Sequence, residues 1–207
     1  MRRGGRAAPY PSTMVARREA DEAPEQFRRA LDALRAAVVR PEVAIEETPA
    51  PQRLAPHAVA LTADVVVGDD ELATGRLVLL HDPAGHEAWQ GTFRVVTYVR
   101  ADLEPEMALD PLLAGVGWAW LTEALDGHGA TFTAASGTVT RVSSESFGAI
   151  AAETGSAQIE IRASWTPLDD AYDAHLLAWC DLLCTTGGLP PVPSGVVTLP
   201  RRRSGRR

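Results

Sequence analysis

The segment SAQIEIRASW, residues 156–165, alternates without a break. Ile159, Ile161, Ala163 and Trp165 fall on one side, and Gln158, Glu160, Arg162 and Ser164 on the other. Successive side chains of a β-strand point to opposite faces, so this strand sets one face on a core and the other in water. Parallel sheets, covered on both faces, carry continuous apolar runs instead. The alternation therefore predicts an antiparallel sheet with one covered and one wet face.

The flanking sequence extends this reading. Downstream, TPLDDAYDAHLLAWCDLLCTT reads as a helix with Asp169 or Asp170 as N-cap and Gly187 or Gly188 ending it. Upstream, SGTVTRVS (136–143) is a strand, and residues 57–67, 76–80 and 91–101 are three more, rich in Val, Leu and Thr. EVAIEE (42–47) is a candidate short strand, followed by the proline-rich connection TPAPQRLAP. A helix over 111–126 is apolar around most of its circumference and is expected to be deeply buried. The first helix starts near Pro24 with a stripe of Phe27, Leu31, Leu34 and Val38, and stops before Pro41. The order α-β-β-β-α-β-β-α predicts an α+β fold. It is a single two-layer domain over 23–190, with a mainly antiparallel sheet of about five strands and helices on one face.

Of the 207 residues 45% are hydrophobic, enough for one sizeable core. All 20 basic residues are arginine, and lysine and asparagine are both absent, a mark of GC-rich coding. Residues 1–18 and 201–207 hold five arginines each and no acids, whereas residues 19–200 carry ten arginines and all 27 acids. An acidic body repels nucleic acid, while the expected tails, a disordered 1–22 and a Pro/Arg-rich 191–207, could touch RNA. Met14 offers a second start. No apolar run approaches the ~18 residues needed to span a bilayer, and the N-terminus lacks the apolar centre of a secretory signal, so the cytoplasm is expected. Cys180 and Cys184 share a helical face with large apolar residues, and we read them as small buried hydrophobes in a reducing compartment rather than a redox pair.

Candidate chemistry gathers in three places. HDPAGHEAW supplies His81, Asp82, His86, Glu87 and Trp89, a candidate binding loop. Asp82, Pro83 and Gly85 also fit the first, second and fourth positions of a type I turn, and His-x4-His matches no zinc spacing, so no metal is assigned. The acids Asp102, Glu104, Glu106 and Asp110 crowd a strand-to-helix connection and read as a solvated cap. On the wet sheet face, Arg94, Tyr98, Arg100, Glu160 and Arg162 are expected to form an exposed mosaic, of the residue types enriched where proteins meet. No nucleophile elbow, P-loop or dinucleotide fingerprint is present, so no catalytic residue and no cofactor are assigned.

The strings RPEVAIEETPAPQRLAPHAVAL, GRLVLLHDPAGHEAWQGTFRVVTYVRADLEPEM, SGTVTR and QIEIRASWTP with HLLAWCDLLC resemble an actinobacterial family known as domain of unknown function 3000. The resemblance covers roughly residues 25 to 190. It implies a cytosolic protein of a GC-rich actinobacterium, and no activity or site residue. The element order is also similar to that of type III secretion chaperone-like proteins, which are small, acidic and non-catalytic; order alone does not establish function. The resulting expectation is a non-enzymatic interaction module, chaperone-like or regulatory, with a protein partner or self-association. Two alternatives stand beside it. One is an enzyme using the His81–Glu87 loop with nearby carboxylates; the other is an RNA-associated accessory acting through the arginine tails.

Overall fold

The structure, a computed structural model, describes residues 23–150 and 155–191. Helix α1 (Glu25–Ala36) leads into strands β1 (Val43–Thr48), β2 (His57–Val67), β3 (Asp70–His86) and β4 (Gly91–Leu103). The short helix α2 (Pro105–Ala108) and helix α3 (Leu113–Gly127) precede β5 (Phe132–Ser144), β6 (Ser156–Pro167) and the last helix, α4 (Tyr172–Thr186). The strands form one six-stranded sheet in the order β1-β2-β3-β4-β6-β5, with every pairing antiparallel. The fold is α+β, and the 42–47 segment joins the sheet as an edge strand.

Strand β6 behaves as its alternation requires. Ile159, Ile161, Ala163 and Trp165 are buried, whereas Gln158, Glu160, Arg162 and Ser164 retain exposure. Its neighbour β4 keeps the same phase, since Tyr98 stands opposite Arg162 and Val99 opposite Ile161. Helix α4 lies against the covered face with Leu176, Trp179, Leu182 and Leu183 buried. Its end is a Schellman arrangement, with Gly188 at φ +80° and the Leu189 amide donating to the Cys184 carbonyl at 2.8 Å. Its start differs from the prediction: Ala171 is the N-cap, and Asp169 accepts from the Ala171 amide at 3.0 Å instead of capping the helix. Cys180 and Cys184 are both buried and free.

Several expectations are corrected by the structure. Val38 is 88% exposed, because α1 ends at Ala36 and the backbone turns extended at Ala37; Ala30 completes the buried stripe in its place. Helix α3 is not buried all round. Only Leu113, Gly117, Leu121 and Leu125 are buried, while Leu112 (69%) and Val116 face solvent. A single apolar seam suffices to seat the helix on β5 and β6, where Gly117 lets it approach Ile159 and Val139. The β3–β4 hairpin does not reverse at 82–85. His81 pairs with Phe93 and His86 with Gly91, so four residues, 82–85, stand opposite Thr92 alone. The chain reverses through a 3-10 turn at Glu87–Trp89, followed by Gln90 in the left-handed region at φ 58°. Asp82 still holds the bulge by accepting from the Ala84 amide at 3.0 Å.

The sheet comes close to α4 at Gly75. A methyl group there would lie 2.7 Å from Leu183 Cδ2 and 2.9 Å from the Tyr98 carbonyl oxygen. Gly75→Ala is therefore expected to lower the unfolding free energy by about 1–3 kcal/mol through overpacking. Urea denaturation reads this directly, and an unchanged midpoint would refute the close contact.

Candidate functional site

The outer face of the sheet, away from the helices, is built from the even-numbered residues of β3, β4 and β6. Register lines up Arg76, Tyr98, Arg162 and Thr138 in one row, and Val78, Val96, Ser164 and Ser136 in the next. Between these rows lies an open hollow of about 530 Å³. Its polar lining is Arg76, Tyr98, Ser136, Thr138, Arg162 and Ser164 with Thr97, over Val78 and Val96; no acid, histidine or cysteine lines it.

Three of the five predicted mosaic residues meet in one group. The Tyr98 hydroxyl donates to Glu160 Oε1 at 3.1 Å, and Arg162 Nη2 reaches Glu160 Oε2 at 2.8 Å. The Arg162 guanidinium also stacks over the Tyr98 ring, 5.1 Å from its centre. Desolvation, followed by the hydrogen bond to Glu160, raises the Tyr98 hydroxyl above its usual pKa, so the phenol stays protonated and donating. Arg100 is exposed on the same face, directly opposite Glu160 in register.

Arg94 departs from the expected exposed mosaic. It shares the outer face, yet it is only 7% exposed. Its Nη1 donates to the Ala134 carbonyl at 2.9 Å and to Thr166 Oγ1 at 3.1 Å. Its Nη2 donates to Ser164 Oγ at 2.7 Å and Ser136 Oγ at 3.3 Å. A bulge in β5 between Thr133 and Ser136, with Ala134 at φ 49°, turns that carbonyl toward the guanidinium. Every partner is neutral, and burial lowers the arginine's pKa from its usual value. The bulge was not legible in FTAASGTVTR, so neither was the burial.

The histidine loop is not gathered into one site. His81 is wholly buried on the helix side, stacked 4.1 Å from Phe93 and facing Phe27 of α1. Its Nδ1 pairs with the Thr92 carbonyl at 3.1 Å, Nε2 has no partner, and burial lowers its pKa. His86 is exposed at the hairpin tip, stacked 4.8 Å from Trp89, with Glu87 exposed beside it and Asp82 half-buried in the bulge. Trp89 packs against Ala60, Val78 and Leu80, a second small core on the outer face closed by Ala50, Ala55 and Ala58. The proline-rich connection thus lies across this end of the sheet, and Arg76 Nη2 holds it by donating to the Pro49 carbonyl at 2.9 Å. Among the described residues, no group of three or more His, Cys, Asp or Glu is placed to hold a metal ion. Asp110 accepts from the Leu112 amide at 2.8 Å, and Arg141 reaches the Ala108 and Asp110 carbonyls at 3.3 and 2.5 Å; both arrange the connection into α3.

These features define an α+β protein with a helix-covered sheet and an arginine-lined hollow on its open face. The chain belongs to the family described as protein of unknown function (DUF3000), whose model matches residues 23–197. No curated protein and no solved structure matches it. No helix among the described residues is long and apolar enough to cross a membrane.

His175 of α4, which the sequence did not single out, is buried beneath Trp165, whose Nε1 donates to His175 Nδ1 at 3.1 Å. Burial pushes its pKa down to about 4. The unfolded chain, with a pKa of about 6.5, takes up the proton first. The stability is therefore fully present above about pH 6.5 and is lost as pH falls toward 4. We expect wild type to lose about 2–3 kcal/mol more than His175→Phe between pH 7 and 4.5, as urea unfolding reports. Parallel losses in the two proteins would sink the assignment.

Proposed function

We propose that the chain is a non-enzymatic protein-interaction module of the actinobacterial cytoplasm, docking a partner protein on the outer face of its sheet. The observation that carries this reading is the hollow itself. Val96, 37% exposed, lies beside a tyrosine and an arginine already held in one orientation by Glu160. Tyrosine and arginine dominate binding energy where proteins meet, and rigid side chains lose little entropy on docking. Charge complementarity points the same way, because the hollow presents arginines and no acid in a body that carries most of the chain's negative charge. Two free, buried cysteines, with the Cys184 thiol pushed up to about 11 by burial, fit a reducing compartment.

Val96→Glu places a charge in the hollow at an exposed position, where the fold tolerates substitution to within about 0.5 kcal/mol. Affinity capture from the native host is expected to recover a partner with wild type, and at least tenfold less of it with Val96→Glu. Equal recovery with both proteins removes the outer face as the docking surface.

Self-association is a second reading, favoured by a separate surface. Leu109, Leu112 and Val116 are exposed, and residues 112–122 contain no charged group. Like copies of an acidic chain repel one another least across such a stretch. Beside it, β5 forms one edge of the sheet, with Ser136 to Thr138 and Thr140 to Ser144 exposed. Sedimentation should show a dimer that Leu112→Glu with Val116→Glu converts to monomer; a monomeric wild type at 100-fold concentration range would dismiss this reading.

A further inference from the structure

The outer-face docking reading leaves open what the hollow recognises, and the serine pair on its floor narrows the choice. Ser136 and Ser164 both line the hollow, and both accept a hydrogen bond from the same nitrogen of Arg94. A hydroxyl that accepts from a guanidinium keeps its own proton for donation elsewhere. The two hydroxyls also lie 3.5 Å apart, so one can donate to the other, and with Arg94 behind them the remaining proton is the one free to point toward the open side.

Arg94 meanwhile has no carboxylate partner among the described residues; its four acceptors are two serines, a threonine and a carbonyl. Burying a charge without an opposite one is costly, even when its hydrogen bonds are satisfied. Arg76, at the rim, is likewise held by a carbonyl oxygen and not by an acid. Only Arg162 is neutralised, by Glu160, which is itself engaged by Tyr98. The hollow therefore combines serine hydroxyls backed by the buried Arg94, which does not itself line it, with a rim cation and apolar walls from Val78 and Val96.

We propose that this hollow is an anion site that takes a carboxylate side chain from an extended acidic segment of the partner, the carboxylate resting on the Ser136 and Ser164 hydroxyls above Arg94. The proposal rests on the docking reading and adds the chemistry of its partner. The apolar walls suit the methylene groups of a glutamate, and a peptide lying along the strands delivers side chains to one face at every second residue.

The test uses the full chain, labelled with nitrogen-15 and titrated with four probes. These are butyrate, inorganic phosphate, the peptide acetyl-Val-Glu-Val-Glu-Val-amide and its glutamine counterpart. Butyrate is expected to shift the amides of Ser136, Thr138, Arg162 and Ser164 saturably, and the glutamate peptide to bind at least tenfold more tightly at the same residues. The glutamine peptide should bind at least tenfold more weakly than the glutamate one. Arg76→Gln and Ser164→Ala should each weaken the glutamate peptide severalfold; retained amide dispersion shows that these variants fold. No response to butyrate or the glutamate peptide overturns the anion site. Tighter binding of phosphate than of butyrate overturns the carboxylate assignment. A glutamate peptide no tighter than butyrate overturns the partner segment in favour of a free small carboxylate. Equal binding of the two peptides across the same residues overturns carboxylate recognition while the docking face itself stands.

Discussion

The pleat of the β4–β6 pair is the constraint on which the other features depend. With Val95 opposite Trp165 and Leu103 opposite Ala157, nine residues of each strand run in step without a bulge. Period two then assigns every side chain of both strands to a face at once, and a slip of one residue would invert all of them. Ile159, Ile161 and Trp165 reach the helices because Tyr98, Glu160 and Arg162 reach water. The core and the outer-face group are two consequences of one register.

Around this rigid centre the sheet tolerates irregularity only at its margins. The four-residue bulge of β3 and the bulge of β5 both lie at the end of the sheet where Trp89, Thr166 and the proline-rich connection meet. Thr166 ties that end together, donating to the Trp89 carbonyl at 2.5 Å while accepting from Arg94. Arg94 is buried beneath the β5 bulge, which turns the Ala134 carbonyl onto it. Its charge is satisfied by that carbonyl together with the Ser136, Ser164 and Thr166 hydroxyls, so the floor of the hollow is preorganised by strand geometry.

What the sequence made legible follows the range of the interactions involved. The alternation in QIEIRASW, the stripe Phe27–Leu31–Leu34 and the two glycines after Thr186 are local signals, and the structure matches each. The turn chemistry of Asp82-Pro83-x-Gly85 was also local, yet it misplaced the reversal, because the turn it builds is absorbed as a bulge inside a longer strand. Helix α3 misled for a different reason. An apolar circumference states what a helix could bury, while the number of neighbours available decides what it does bury. His81 was read as chemistry on the strength of its neighbours in sequence, whereas its parity with Leu77 and Leu79 already placed it on the covered face.

The same parity separates the histidine loop from the arginine face. His81 continues the inward phase of β3, and Arg76 and Val78 continue the outward phase. Past His81 the bulge breaks the phase, so His86 and Trp89 no longer obey either set, and Trp89 crosses to cover Val78 and Leu80. The ring thereby walls one end of the outer face, leaving the open hollow between Arg76 and Ser136. Of the loop that most resembles a chemical site, one histidine serves the core and the tryptophan serves the boundary of a different site. The polar groups left free to meet a ligand are those of the sheet, where neighbouring strands and not neighbouring residues bring them together.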